Sequence, residues 1–165
     1  MIKKVIVLSL LLSLIACTGK TTKEYADVDD MLKDAASQVE YIKVDELKNL
    51  IDTHKPVYLI DCREQIEFDS ACIKNAINIP RGTLENTVSE KLPKHRQTVI
   101  IYCNNGQRST LAATVLPRLK YSDVKVLEGG FDALKSNAPQ LIELNPIRGN
   151  SATKAPAKPA GGCGG

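Results

Sequence analysis

A cysteine ends an apolar run in this sequence, and an arginine follows the cysteine five positions later. The apolar run, residues 99–102, has the composition of a buried strand, and the amphipathic residues 109–119 predict a helix after it. Cys103 therefore lies where a strand ends and a helix begins, with Arg108 close by. A thiol beside a helix N-terminus and a cation has a lowered pKa, and its thiolate attacks sulfur or phosphorus. The pattern predicts that Cys103 is a catalytic nucleophile.

The residues between the cysteine and the arginine predict an anion-binding loop. Gly106 has no Cβ, so the backbone there can adopt positive φ and turn its N–H groups toward a bound anion. We therefore assign substrate binding to Arg108 and to the loop residues before it, which are Asn104, Asn105, Gly106 and Gln107. The alternative interpretation is a small buried cysteine followed by an ordinary Asn-Asn-Gly turn.

Apolar runs and amphipathic segments alternate along the sequence, which predicts βαβ units and a parallel sheet. We expect one α/β domain with a five-stranded, mainly parallel sheet and helices on both faces. The predicted strands are residues 41–44, 57–60, 76–79, 99–102 and 124–127. Parallel strands bring their carboxyl ends to one rim, so Asp61, Arg81 and Cys103 should lie there together. Arg81 is either a second cation for an anionic substrate or a solvated loop charge.

Local patterns make further predictions around the loop. Ser109 has a hydroxyl that can cap the helix after the loop. Pro117 lacks an N–H, so it should kink or end that helix near Leu116. Arg63 and Glu67 are four residues apart in a predicted helical turn, which is close enough for an ion pair.

Four stretches of the sequence stand in a characteristic order. They are Asp61-Cys62-Arg63-Glu64 with Glu67-Phe68, then Ala76-Ile77-Asn78-Ile79-Pro80, Tyr102-Cys103-Asn104-Asn105-Gly106-Gln107-Arg108-Ser109, and Leu127-Glu128-Gly129-Gly130-Phe131. In order and spacing they resemble the signatures of a single-domain rhodanese, over about residues 41–137. The resemblance implies a rhodanese-like domain, and it implies an architectural rather than a catalytic role for Asp61 and Arg63 near the site.

The resemblance also implies a sulfurtransferase that needs no metal and no organic cofactor. Cys103 would take sulfane sulfur from a small anionic donor such as thiosulfate, carry it as a persulfide, and pass it to a thiol or cyanide. Arg108 would bind the donor. A non-catalytic rhodanese module that carries sulfur or binds a partner is the alternative. Arsenate reductases and phosphatases that resemble this fold have a loop one residue longer, so the shorter spacing here favours sulfur over phosphorus.

The first residues have the pattern of an export signal. Lys3 and Lys4 precede an apolar stretch, residues 5–15, that is too short to span a bilayer as a stable helix. The stretch ends in Leu14-Ile15-Ala16-Cys17, which resembles the bacterial lipobox. This resemblance implies cleavage before Cys17, lipidation of its thiol and a membrane-anchored domain in the periplasm or at the outer cell surface. The alternative is an ordinary signal peptide with an incidental cysteine.

Length and composition limit what the rest of the chain can be. With 165 residues and 43% hydrophobic content, the chain suits one globular domain. The formal charge of +3 falls to about +1 once Lys3 and Lys4 are removed, so we expect no nucleic-acid partner. We expect a signal peptide over residues 1–16, a tether and short helix over 17–40, a monomeric domain over 41–140, and a disordered tail rich in glycine, proline and alanine over 141–165.

Export would place the remaining cysteines in a compartment that permits disulfides. Cys62 and Cys72 stand where rhodaneses usually have an aliphatic residue and a histidine. We predict a disulfide between them, and the alternative is two unrelated buried thiols. Cys163 lies between glycine pairs at the end of the tail. It is either an incidental cysteine or, as we hypothesise, a sulfur relay to Cys103, because about nineteen residues of flexible chain reach about 25 Å.

Overall fold

The architecture is a parallel sheet covered by helices. The computed structural model describes residues 23–144. The strands are β1 (Glu40–Ile42), β2 (Val57–Asp61), β3 (Ala71–Ile73), β4 (Ile77–Asn78), β5 (Thr98–Tyr102), β6 (Val124–Leu127) and β7 (Ile142–Leu144). The α-helices are α1 (Val28–Ala36), α2 (Val44–Asp52), α3 (Gln65–Ser70), α4 (Leu84–Lys91), α5 (Gln107–Ala113) and α6 (Gly130–Asn137), with 3₁₀ turns at Arg81–Thr83, Leu116–Leu119 and Pro139–Leu141.

Five strands form one sheet in the order β1-β6-β5-β2-β4, and every neighbouring pair is parallel. This confirms the predicted five-stranded sheet. The central strands, β5 and β2, are nearly continuous apolar runs, as expected for strands that are buried on both faces. They pair over their full length, with Asp61 opposite Tyr102 at the last position. Cys103 follows β5 directly and therefore lies at the carboxyl rim of the sheet.

Helices cover both faces of the sheet, which is also as predicted. Side chains along a strand alternate between the two faces, so β2 and β5 contribute to two hydrophobic clusters. The cluster on the face covered by α4 and α5 includes Ile60, Ile101, Leu84, Val88 and Ala112. The cluster on the face covered by α2 and α6 includes Leu59, Ile100, Leu47, Phe131 and Leu134.

A separate two-stranded ribbon pairs β3 with β7 in antiparallel register. Leu141, just before β7, is buried. The predicted disordered tail over residues 141–165 therefore begins too early, because residues 141–144 belong to the folded domain. The apolar residues of β7 are too few to indicate a strand by their own pattern, and only pairing with β3 selects this conformation.

The helix after the loop begins earlier than predicted. Its first residue is Gln107, so the prediction that Ser109 caps it is wrong. The N-cap position is Gly106, which adopts the left-handed conformation with a φ of 97°. Asn105 Oδ1 accepts a hydrogen bond from the Gln107 N–H at 3.1 Å and so satisfies one free donor of the first turn.

Pro117 interrupts the same helical segment, as predicted. The α-helix ends at Ala113, and the proline lies at the start of the 3₁₀ turn Leu116–Leu119. Proline has no N–H to donate to the carbonyl four residues earlier, so the α-helix does not extend to residue 119 and a 3₁₀ turn follows it.

The predictions on the termini fall outside residues 23–144. They are the signal peptide over residues 1–16, the lipidation of Cys17 and the relay at Cys163. Within the described part, residues 23–31 belong to one compact unit and residues 32–144 to another. No helix between residues 23 and 144 is long and apolar enough to cross a bilayer.

Candidate active site

The loop after β5 places the Cys103 thiol at the carboxyl rim of the sheet. Cys103 is fully buried. The loop ends at Gly106, whose φ of 97° turns the chain into α5. Any other residue at this position would strain the backbone. The prediction that Gly106 adopts positive φ is therefore confirmed.

Several donors converge on the Cys103 sulfur. The Cys62 thiol hydrogen-bonds to it, and Ser109 Oγ donates to Sγ across 3.6 Å. The backbone N–H groups of Ser109 and Gly106 also donate to it. The hydrogen bond from Cys62, together with those from Ser109 and Gly106, outweighs the cost of burial and lowers the pKa of Cys103 to about 5. At neutral pH Cys103 is therefore a thiolate, the form that acts as a nucleophile.

Cys62 faces Cys103 rather than Cys72, so the predicted disulfide is wrong. Cys62 and Cys72 are both buried, and no disulfide joins them. The Cys62 N–H donates to Tyr102 O on β5 at 2.9 Å, whereas Cys72 lies on β3 in the separate ribbon. The hydrogen bond to Cys103, together with burial, raises the pKa of Cys62 well above its ordinary value. Cys62 is therefore a neutral thiol that donates to the Cys103 thiolate.

The start of α6 holds the backbone of the loop. The Phe131 N–H donates to Cys103 O at 2.8 Å, and the Asp132 N–H donates to Asn104 O at 3.0 Å. The approach is so close that a Cβ on Gly130 would lie 2.4 Å from Cys103 O and 2.5 Å from Asn104 O. In a trans peptide the C=O and N–H groups point in opposite directions. Because these carbonyls face α6, the N–H groups of the same peptides face away from α6.

Glu67 orients one residue of the loop and one residue in the first turn of α5. Its carboxylate accepts hydrogen bonds from Arg108 Nη1 and Nη2, both at 3.0 Å, and from Asn104 Nδ2 at 2.9 Å. The hydrogen bonds from Arg108 lower the pKa of Glu67 to about 2. The predicted ion pair between Arg63 and Glu67 is wrong. Arg63 lies before the start of α3, so the two side chains do not have the helical spacing on which the prediction depends.

Arg63 pairs instead with Asp61 in the buried interior beside the loop. The Asp61 carboxylate accepts hydrogen bonds from the Arg63 N–H, Nε and Nη2 at 2.9, 3.0 and 2.6 Å. The guanidinium lies 4.1 Å from the centre of the Phe131 ring and donates to Asn104 Oδ1 at 3.4 Å. Asn78 Nδ2 donates to Asp61 O and Arg63 O, at 3.0 and 2.9 Å. These contacts connect the pair with the fold and with the Asn104 side chain of the loop rather than with the Cys103 sulfur.

Arg81 begins the 3₁₀ turn after β4 and contacts the rim through its backbone. Its N–H donates to Cys62 O at 3.1 Å. Its side chain forms an ion pair with Glu85 at 3.0 Å, and both side chains are partly exposed. Arg81 and Glu85 therefore form an ion pair at the protein surface. The assignment of Arg81 to substrate binding stays a prediction.

The sequence motifs contain Cys62, Glu67, Ser109 and Gly130 but do not reveal these contacts. Cys62 reaches the sulfur from a neighbouring strand, and Glu67 reaches the loop from α3. Only Gly130 leaves a detectable signal, because a glycine pair at a strand-to-helix junction indicates a close approach of another segment. The other contacts depend on strand order and register, which the motifs do not contain.

Comparison with known proteins agrees with this arrangement of motifs and strands. Residues 43–137, more than half of the chain, match the Rhodanese-like domain family. The chain belongs to this family. The match covers the loop, the Asp61–Arg63 pair and the glycines that begin α6.

Two curated relatives of this rhodanese-like domain have sulfurtransferase names. The "Putative thiosulfate sulfurtransferase, mitochondrial" of Schizosaccharomyces pombe is 30% identical over 112 residues, covering 59% of this chain and 79% of the relative. The "Probable adenylyltransferase/sulfurtransferase MoeZ" of Mycobacterium tuberculosis is 32% identical over 99 residues, covering 59% of this chain. This chain spans only 25% of that relative's length.

A solved structure has the same fold as this rhodanese-like domain. It is the thiosulfate sulfurtransferase from Pseudomonas aeruginosa, with a TM-score of 0.62 at 24% sequence identity. The likeness covers 70% of this chain and 22% of that one. The fold predicted from the sequence motifs is therefore confirmed.

Proposed function

We propose that this rhodanese-like domain is a sulfurtransferase that moves sulfane sulfur from thiosulfate, or a similar anionic donor, to a thiol or cyanide. The observation that carries the proposal is the buried Cys103 thiolate, which has a pKa of about 5 and accepts hydrogen bonds from the loop that surrounds it. The names of the two curated relatives give further support.

Sulfur transfer by Cys103 requires two displacements at sulfur. The thiolate attacks the sulfane sulfur of the donor, the sulfur–sulfur bond of thiosulfate breaks, and sulfite leaves with the electron pair. The loop N–H groups stabilise the persulfide that forms on Cys103. A thiolate or cyanide then attacks the outer sulfur, and Cys103 leaves as the thiolate that began the cycle. No separate base is needed, because Cys103 is already ionised at neutral pH.

Arg108 supplies the positive charge for an anionic donor. Glu67 holds its guanidinium through two hydrogen bonds, and 37% of the Arg108 side chain is exposed. The Arg108 guanidinium is therefore held in one orientation, keeps part of its positive charge and is accessible to an anionic donor in solvent. The spacing of five positions from Cys103 to Arg108 supports sulfur rather than phosphorus chemistry, since it leaves a smaller loop than that of the related phosphatases.

Thiocyanate production from thiosulfate and cyanide tests the proposal. We expect the full chain to produce thiocyanate and Cys103→Ser to produce none, because a hydroxyl cannot carry the persulfide. Cys72→Ser is the matched control, since Cys72 is also buried but lies on β3, and this variant should stay active. A folded wild-type protein that produces no thiocyanate would overturn the enzymatic proposal in favour of a non-catalytic module.

We also propose that lipid on Cys17 anchors the domain, as a monomer, to a membrane in the periplasm or at the outer cell surface. The support is the lipobox-like sequence Leu14-Ile15-Ala16-Cys17. Expressed from its own leader, the wild-type chain should fractionate with membranes and Cys17→Ser should not. Equal membrane fractions for both proteins would contradict the anchor.

Cys163 is proposed as a second sulfur carrier after Cys103. A flexible chain of about nineteen residues, the number from Leu144 to Cys163, would have an r.m.s. span of about 25 Å, similar to the width of a small domain. After loading with thiosulfate, digestion and weighing of the terminal peptide should detect an added sulfur on Cys163. If no sulfur is found there, and Cys163→Ser transfers sulfur to thiols at the wild-type rate, the relay is wrong.

A further inference from the structure

Cys62 and Cys103 end neighbouring parallel strands at the same level. The last register pair of β2 and β5 is Asp61 with Tyr102, so the two cysteines are the next residues on each strand. The Cys62 N–H donates to Tyr102 O at 2.9 Å, so the hydrogen bonding between the two strands extends one residue beyond the last register pair. Neighbouring strands lie about 4.8 Å apart, within the separation of about 4.4–6.8 Å between Cα atoms that a disulfide requires.

The two side chains also point to the same face of the sheet. Cys62 and Cys103 belong to one hydrophobic cluster, together with Ile60 and Ile101, the residues two positions earlier on each strand. Both cysteines are fully buried, and the Cys62 thiol is close enough to Cys103 to lower its pKa. The register and the shared face therefore place the two cysteines in the relationship that a disulfide between them requires.

The two thiols have different surroundings. Both cysteines pack in the apolar cluster, but Cys103 also accepts hydrogen bonds from Ser109 in the first turn of α5 and from the Gly106 N–H. In a Cys103 persulfide, Cys62 would therefore lie beside the inner sulfur, and an outer sulfur held by the loop N–H groups would be in position to leave.

We infer that Cys62 is a resolving thiol, which attacks the Cys103 persulfide and releases its outer sulfur as sulfide, so that the domain is a thiosulfate reductase as well as a transferase. The inference rests on the proposed persulfide at Cys103. It assigns to the site an internal acceptor and a second product besides sulfite.

The step balances in atoms and electrons. The Cys62 sulfur attacks Cys103 Sγ, a bond forms between the two cysteine sulfurs, and the bond from Sγ to the outer sulfur breaks. The outer sulfur leaves with the electron pair and takes the proton that Cys62 loses, so it departs as the hydrosulfide anion, HS⁻. The sulfane sulfur is reduced and the two cysteines are oxidised to a disulfide. A small or protein dithiol then reduces this disulfide and restores both thiols for the next cycle.

The charge state of the pair suits this order of events. In the resting protein the anion on Cys103 is the main reason why the pKa of Cys62 is raised, since Cys62 donates a hydrogen bond to it. In the persulfide the Cys103 Sγ no longer carries that negative charge. The Cys62 thiol then no longer donates a hydrogen bond to an anion on Cys103 Sγ, so its pKa falls. Cys62 therefore becomes easier to ionise at the stage when it must act as a nucleophile.

A single turnover without any acceptor or reductant tests the inference. All proteins are full-length and carry Cys163→Ser, so that the tail thiol cannot accept sulfur. With thiosulfate alone we expect equal amounts of sulfite and sulfide, neither exceeding the amount of protein. Peptide mapping should then find Cys62 joined to Cys103.

Cys62→Ala is the decisive variant, and Cys72→Ala is its matched control. We expect Cys62→Ala to take up sulfur more slowly, to keep it on Cys103 as a stable persulfide, and to release sulfide more slowly by about tenfold or more. Cys72→Ala should release sulfide and form the Cys62–Cys103 disulfide as the parent protein does.

Each contrary result has a definite meaning. Sulfite release with a stable persulfide on Cys103 in the parent protein, and no sulfide, would overturn the resolving thiol and leave the transferase intact. A sulfur found on Cys62 itself would also overturn it, because Cys62 would then be attacking the outer sulfur. No sulfite at all would overturn the proposed transferase, and the resolving step with it.

Discussion

Gly130 lies so close to the Cys103 carbonyl that a side chain on residue 130 would displace either the loop or the start of α6. A Cβ on Gly130 would lie 2.4 Å from Cys103 O, and its φ of 59° already disfavours any other residue. Because residue 130 is glycine, the N–H groups at the start of α6 can donate to the loop carbonyls. These hydrogen bonds orient the loop peptides so that their own N–H groups face away from α6.

Gly130→Ala should therefore reduce sulfur transfer by about a hundredfold, because a shift of about 1 Å in a reacting group costs that much. Gly129→Ala is the matched control: Gly129 also has positive φ, but its added Cβ would meet Ala133 rather than the loop. Both variants should lose stability in urea unfolding. Similar thiocyanate rates for the two variants would contradict the role assigned to Gly130.

The pH dependence of Cys103 reactivity follows from its lowered pKa. The thiolate fraction should rise through pH 5 and be nearly complete at pH 7, so the rate of alkylation by iodoacetamide should rise with pH and then level off. Peptide mass spectrometry of Cys103 at each pH measures the rate. A midpoint near pH 8.5, the ordinary value for cysteine, would contradict the assigned hydrogen bonds.

Loss of the Cys62 thiol should move that midpoint upward. Hydrogen bonds to charged groups contribute about 1.5–3 kcal/mol and one pH unit corresponds to 1.36 kcal/mol, so Cys62→Ala should raise the midpoint by about one to two pH units. Cys72→Ala should leave it in place, since Cys72 lies on β3. An unchanged midpoint in Cys62→Ala would mean that the loop and Ser109 alone stabilise the thiolate.

Glu67 should affect sulfur transfer through Asn104 and Arg108, the two residues that it orients. Glu67→Gln keeps the shape of the side chain but loses the charge that holds Arg108, so sulfur transfer should fall by about tenfold, equivalent to about 1.4 kcal/mol. Asp52→Asn removes the acidic partner of Lys48 on α2, away from the loop, and should leave the rate unchanged. Equal rates for wild type and Glu67→Gln would show that Arg108 needs no partner.

The buried Asp61–Arg63 pair should contribute to stability. Asp61→Ala leaves the Arg63 charge buried without its carboxylate, which should cost about 3–5 kcal/mol in the free energy of unfolding. Glu85→Ala, which breaks the partly exposed pair with Arg81, should cost no more than about 1 kcal/mol. Denaturant unfolding measures both values, and comparable losses would refute a special role for the buried pair.

Loop length should be as important as loop composition. One residue inserted between Asn105 and Gly106 would displace the N–H groups that converge on Cys103, so thiocyanate production should fall by about a hundredfold or more. Circular dichroism checks that the variant is folded. Unchanged production by the folded variant would contradict the idea that the loop N–H groups must meet at one sulfur atom.

The sequence by itself determined the position of Cys103 at a strand end, the turn after it and the type of sheet. Cys103, Gly106 and Arg108 are neighbours along the chain, and the conformation of a short loop depends mainly on its own residues. The alternation of apolar strands with amphipathic helices likewise reflects local burial, so five parallel strands and their common rim follow from it. Pro117 acts on its own helix for the same reason.

Only the tertiary structure decided which distant residues contact Cys103 and its loop. Cys62 contacts Cys103 because β2 and β5 are neighbours in a particular register, and a shift of one residue would turn Cys62 to the other face. Arg108 pairs with Glu67, which is 41 positions away in the sequence, because α3 brings Glu67 beside the start of α5. Such contacts join residues far apart in the chain, so they depend on strand order and helix packing, which no local pattern encodes.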